Sequence, residues 1–167
     1  MENLNSDPID KSAWGDGPWQ QEPDRIEWEH AGLPCLMSRG SCGHWCGYAA
    51  VPPGHTLHGK SYDDAPVEVH GGLTYASLCS GAICHVPKPG EPDDVYWFGF
   101  DCAHSGDYAP SLGNWRASRH GGKAYNHAEA VALHAVSWSA ADVYRTVDYV
   151  QAETNRLAEQ LVALSQS

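Results

Sequence analysis

One apolar rhythm constrains this chain more than any other feature. Val143, Val147, Val150, Thr154, Leu157, Leu161 and Leu164 follow one another at intervals of 4-3-4-3-4-3. Only an α-helix gathers residues spaced this way into a single stripe. Ser139-Ala140-Ala141-Asp142 stands just ahead and has the form of a capping box. The pattern therefore predicts a helix over about 139–165. A stripe with this spacing has two uses. It docks the helix on the chain's own sheet, or it forms a coiled-coil-like seam with a second copy. The second use would make the C-terminal helix a homo-oligomer contact.

The chain ahead of the helix has a different rhythm. Arg25-Ile26-Glu27-Trp28-Glu29 alternates polar and apolar residues, as a half-buried strand does. Residues 33–39, a Gly40-Ser41-Cys42-Gly43 turn and residues 44–51 predict a hairpin, which Pro52-Pro53-Gly54 ends. Further strands are expected at 67–70, 73–77 and 95–101, with the proline-rich run 87–94 as a loop. A short Ala-rich helix is expected over about 126–136. Strands first and helices last predict an α+β fold, a small antiparallel sheet with a long C-terminal α-helix. Residues 1–12 are expected to be a flexible tail and 13–167 a single domain.

Charge narrows the partners. The chain carries ten Lys and Arg against 21 Asp and Glu, a formal net charge of −11. Long DNA or RNA is normally met by a basic face, so neither is an expected partner. A small phosphorylated ligand remains open, because a few backbone N–H groups and one Arg suffice to hold a phosphate. No apolar run approaches the length of a membrane span, and Met1 to Lys11 is too polar for a signal peptide. The expected location is the cytoplasm. Cys35, Cys42, Cys46, Cys79, Cys84 and Cys102 are accordingly expected as free thiols or metal ligands rather than disulfides. Cys42-x-His44-x-Cys46 lacks zinc-knuckle spacing, while Cys84-His85 and Cys102-x-His104 could meet in space. A structural zinc is thus a minor alternative, and no cofactor is assigned.

Two strand ends carry the residues suited to chemistry. His70-Gly71-Gly72-Leu73-Thr74-Tyr75 places two glycines beside a histidine, where the backbone can approach a ligand or present consecutive N–H groups to an anion. Trp97-Phe98-Gly99-Phe100-Asp101-Cys102-Ala103-His104-Ser105-Gly106-Asp107 ends a buried strand on two aspartates and a histidine. A helical turn would put His104 and Asp107 on one face, suiting an acid–base pair, a metal pair or a plain hydrogen bond. The candidate ligand-binding set is His70, Gly71, Gly72, Thr74, Tyr75, Trp97, Asp101, His104 and Asp107. If the chain is an enzyme, His70, His104 and Asp107 are the catalytic candidates, with no metal assigned. Neither a Gly-x-Ser-x-Gly elbow, a P-loop nor a dinucleotide fingerprint is present.

Gly17-Pro18-Trp19, Gly32-Leu33-Pro34-Cys35, Cys46-Gly47-Tyr48, the two central motifs above and a late Tyr149-Val150-x-x-Glu153 occur in an order that resembles a family of small tailed-phage and prophage proteins. The resemblance runs over about residues 14–162 but not over 108–138. It implies an anti-defence protein that binds and sequesters a nucleotide-derived immune signal, of cyclic nucleotide or cyclic ADP-ribose type. Gly71 and Gly72 with Arg39 or Arg116 would hold phosphate, and Trp and Tyr faces would stack on the base. The first alternative is a phosphodiesterase-like enzyme that cleaves such a signal with His70 and His104. The second is a protein–protein inhibitor of a host factor.

Overall fold

The computed structural model describes residues 9–104, 106–111 and 143–165. Five strands form one antiparallel sheet: β1 (Arg25–His30), β2 (Leu33–Arg39), β3 (Trp45–Val51), β4 (Tyr75–Leu78) and β5 (Tyr96–Asp101). Their order across the sheet is β1-β2-β3-β5-β4. One long helix, α1 (Val147–Ser165), packs against it. The fold is α+β, as the two rhythms of the sequence require.

Turn chemistry sets the register. β1 and β2 join through Ala31 and Gly32, both with positive φ (55° and 82°), the two-residue turn whose twist suits a hairpin. The β2–β3 hairpin closes through Gly40 N–H to His44 O (2.8 Å) and Gly43 N–H to Gly40 O (3.0 Å). β3, apolar throughout, lies at the centre with all seven residues buried.

Alternation along the strands builds two cores. Met37, Trp45, Ala49, Phe98 and Phe100 face α1 and meet Val150, Leu157 and Leu161. Leu36, Tyr48, Ala50 and Trp97 point to the opposite face. Gly47 lets the helix come close: a Cβ there would stand 2.3 Å from Thr154 Oγ1 and 2.7 Å from the Phe100 ring. The apolar stripe of α1 is therefore spent on the chain's own sheet. Polar bonds pin the helix as well, from Trp28 Nε1 to Asn155 Oδ1 (2.8 Å) and between the Gln160 side chain and the Glu68 backbone (2.7 and 2.9 Å).

Three sequence expectations are corrected. The segment 67–70 is not a strand, because the Glu68 backbone bonds to the Gln160 side chain instead of to a neighbouring strand. The helix begins at Val147, not near 139, because Val143 is held in a parallel bridge to Asp107. Val143 N–H donates to Gly106 O and its carbonyl accepts from Tyr108 N–H, both at 2.9 Å, which leaves no helical bonds for it to make. The helix start is capped by Glu22, whose Oε2 accepts the Val147 N–H at 2.9 Å. Third, Cys79 and Cys84 form a disulfide rather than free thiols. The Ser80–Ile83 bridge folds their loop back and brings their Cα atoms to 4.6 Å. The expected helix at 126–136, the Ser139–Asp142 start and Arg116 lie outside the described residues. Among the described residues no helix is long and apolar enough to cross a membrane.

Candidate functional site

The end of β5, the turn at 70–74 and the first turn of α1 meet at one corner of the sheet. Asp107 is the hub. It is 1% exposed, and a carboxylate so buried must be bonded. His70 Nε2 lies 2.9 Å from its Oδ1 and 2.8 Å from its Oδ2. Arg145 Nε donates to Oδ1 at 2.9 Å, and the His104 backbone N–H donates to Oδ2 at 3.1 Å. Burial pushes the Asp107 carboxyl upward, but the bonds from His70, Arg145 and His104 outweigh it and hold the group below its ordinary range. Asp107 in turn holds the Arg145 guanidinium above its ordinary value.

His70 is held at both ring nitrogens. Its Nδ1 lies 2.8 Å from the Tyr149 hydroxyl, and the two rings meet edge to face at 5.5 Å. With the proton on Nε2, Asp107 accepts it and Nδ1 accepts the Tyr149 O–H. The result is a continuous Tyr149–His70–Asp107 chain. Burial raises the Tyr149 phenol above its usual value, reinforced by Glu153 and opposed by Arg145, whose guanidinium carbon sits 4.9 Å from the Tyr149 ring centre.

His104 faces His70, with ring centres 6.0 Å apart. Its Nδ1 is 3.5 Å from Asp101 Oδ1 and 3.7 Å from Asp107 Oδ2. It is a buried ring nitrogen with no hydrogen-bond partner among the described residues. Asp101 accepts Thr74 Oγ1–H on Oδ2 (3.0 Å) and Ala103 N–H on Oδ1 (3.1 Å), the oxygen that faces His104. His104 and Asp107 share a tight turn, not the helical turn expected for them, closed by Asp107 N–H to His104 O at 2.9 Å.

Gly71 explains the glycine pair. Its φ is 68°, and a Cβ on it would stand 2.4 Å from His104 Cε1. The glycine makes room for the imidazole. Gly72 has φ 82° and donates its N–H to Val69 O at 2.9 Å, so that donor serves the turn and not an anion.

The structure thus brings together His70, Gly71, Thr74, Asp101, His104 and Asp107. Trp97 and Tyr75 lie elsewhere. Trp97 is fully buried on the opposite face, edge-on to His85 at 5.5 Å, and Tyr75 packs on Tyr48 at 5.3 Å. Arg39 is also unavailable to a ligand. Its fully buried side chain pairs with Asp24 at 2.8 Å and lies over the Trp45 ring at 4.3 Å. Arg145 and Tyr149 are the residues that sequence reading missed. Tyr149 is quoted in the late motif, but only the fold shows that it reaches His70 across 79 positions.

The free thiols are not part of this group. Burial pushes Cys35 and Cys46 up to about 12 and Cys102 upward too. Cys84, considered with His85 for zinc, is committed to its disulfide. Among the described residues, His70, His104 and Asp107 are the group that could hold an ion, with donor atoms all within 4.8 Å. A separate cavity of about 100 Å³, lined by Glu29, Pro34, His85 and Glu91 among others, contains none of the predicted site residues. No protein-family model, curated protein or solved structure matches the chain.

Proposed function

We infer that the His70–His104–Asp107 corner hydrolyses a phosphodiester in a small nucleotide-derived ligand. The observation that carries this reading is one buried carboxylate bonded by the His70 imidazole and faced by that of His104, with His70 bonded onward to a tyrosine hydroxyl. Cleavage needs a water stripped of its proton, a proton for the leaving oxygen and positive charge beside the phosphate. The water oxygen bonds to phosphorus, the ester P–O bond breaks, and the water's proton ends on the leaving oxygen. Groups that accept, pass and return protons are what this corner contains. Arg145, with its side chain 26% exposed, supplies the charge at the rim.

Sequestration, the leading expectation from sequence, fits these residues less well. A phosphate trap is lined by donors and cations. Here Arg39 is internal and the Gly72 N–H is already used, which leaves Arg145 as the cation that the described site offers a phosphate. The resemblance to phage-encoded proteins sets the proposed substrate, a nucleotide immune signal in a bacterial host.

The test is to incubate the protein with a panel of cyclic di- and trinucleotides and cyclic ADP-ribose, then heat it and chromatograph what is released. Linear or smaller products that disappear in His70→Gln and His104→Gln support hydrolysis. Intact ligand released only on heating replaces it with sequestration, and no retained or altered ligand removes both.

A further inference from the structure

We propose that His70 Nε2, His104 Nδ1 and Asp107 Oδ2 together bind one divalent transition-metal ion, with Asp101 at its edge. The proposal rests on the hydrolytic reading for its purpose and on separate observations for its geometry.

The first observation is the unpartnered nitrogen. His104 Nδ1 is buried, and its nearest acceptors, at 3.5 and 3.7 Å, are too far for a hydrogen bond. Buried polar atoms in native proteins normally have a partner. A ring nitrogen set between two carboxylates, with no short bond to either, stands where a cation could be shared by all three.

The second is spacing. Ligands held at about 2.0–2.2 Å from a first-row ion stand roughly 3–3.6 Å from one another. His70 Nε2 and Asp107 Oδ2 are 2.8 Å apart, and His104 Nδ1 and Asp107 Oδ2 are 3.7 Å apart. All three atoms lie within 4.8 Å of one another, so small rotations of the two rings would complete the set.

The third is the support behind each donor. The far nitrogen of His70 is held by Tyr149, Oδ1 of Asp107 by Arg145, and Asp101 by Thr74 and Ala103. Metal ligands are normally oriented this way by partners one bond further out. Arg145 engages Oδ1, while Oδ2 accepts the His104 backbone N–H and also faces the two imidazoles.

The donor set names the class of ion. Two imidazoles with one or two carboxylates and no thiolate suit Mn, Fe, Co or Zn in the divalent state, rather than Cu(I), Ca or Mg. Binding displaces the proton from His70 Nε2, and Tyr149 then accepts a hydrogen bond from Nδ1–H. Three protein donors leave room for water, whose acidity the ion would raise. With the ion bound, His70 Nε2 and His104 Nδ1 would serve as its ligands in place of an acid–base role, and the hydroxide for hydrolysis would come from ion-bound water.

Calorimetry of the full chain with Zn²⁺, Mn²⁺ or Co²⁺ alone, alongside elemental analysis of the dialysed protein, tests the site. The expected result is one ion per chain. His70→Gln and His104→Gln should each weaken binding by about 100-fold or more, at least the loss seen on removing a supporting partner. Circular dichroism confirms that the variants fold. Cys42→Ser should bind like the parent. No ion retained, or retention indifferent to both histidine variants, overturns the proposal. One ion bound without cleavage of any nucleotide upholds the site and removes the hydrolytic reading. Cleavage that persists in chelator with no ion bound does the reverse.

Discussion

Replacing Asp107 with Asn changes one oxygen to NH₂ and nothing in size, so its effect isolates the charge and the bonding pattern. The carboxylate takes bonds from His70, Arg145 and the His104 backbone. An amide cannot accept all three. If its oxygen stays on Arg145, its NH₂ faces the His104 N–H; if it flips, its NH₂ faces Arg145 Nε. His70 can adapt by moving its proton to Nδ1, where Tyr149 accepts it. One donor is left opposed in either case, at about 1–3 kcal/mol, and one charge-assisted bond of about 1.5–3 kcal/mol is lost. Arg145 keeps a quarter of its side chain in water, which pulls the sum toward its lower half. The expected loss is about 3–4 kcal/mol, or roughly 10 °C in Tm for a chain of this size. Urea unfolding followed by tryptophan fluorescence measures it. The pH dependence adds a sign. Asp107 titrates below its ordinary 3.8 when folded, so its stabilisation is full above that pH and drains away as pH falls through the folded value. The gap between parent and Asp107→Asn should therefore close in acid. A loss under about 1 kcal/mol, or a gap that does not close, would refute the claim that Asp107 is the hub.

Gly71→Ala should cost about 1–3 kcal/mol by forcing a left-handed backbone on alanine and by pushing on His104, and NMR should show the His104 ring displaced. His44 is 8% exposed, and burial is the main cause that holds its pKa below 6.5 despite nearby Asp101 and Asp107. Its contribution is present above 6.5 and lost as pH falls, at up to about 1.4 kcal/mol per pH unit. His44→Gln should flatten the stability profile over that range in urea titrations. Tyr149→Phe removes the hydroxyl from His70 Nδ1 and should cost about 1 kcal/mol, with a shift in the His70 imidazole ¹⁵N signals as the direct readout.

The sheet was legible because its code is local. Alternation marks β1, Gly40 and Gly43 mark the β2–β3 turn, and Pro52-Pro53 marks where β3 stops. The helix was legible in its stripe but not in its start, because the Val143 bridge and the Glu22 cap are made by residues far away in sequence. The same split governs the site. His70, His104 and Asp107 announce themselves as polar residues at strand ends. Arg145 and Tyr149 look like ordinary surface residues of an amphipathic helix until its first turn is laid beside residue 70. Trp97 misled because strand parity says which face a side chain takes but not which end of the strand is the site. About 13 Å of strand separates it from Asp101.

The claim that most of this account depends on is that the two imidazoles and Asp107 act together on a phosphodiester. A ³¹P NMR time course of a cyclic dinucleotide mixed with the protein, with and without added Mn²⁺ or Zn²⁺, addresses it directly. The diester resonance is expected to give way to a monoester resonance with the parent chain and to persist with His104→Gln. A diester signal that survives unchanged with the parent across the nucleotide panel and both ions would contradict it.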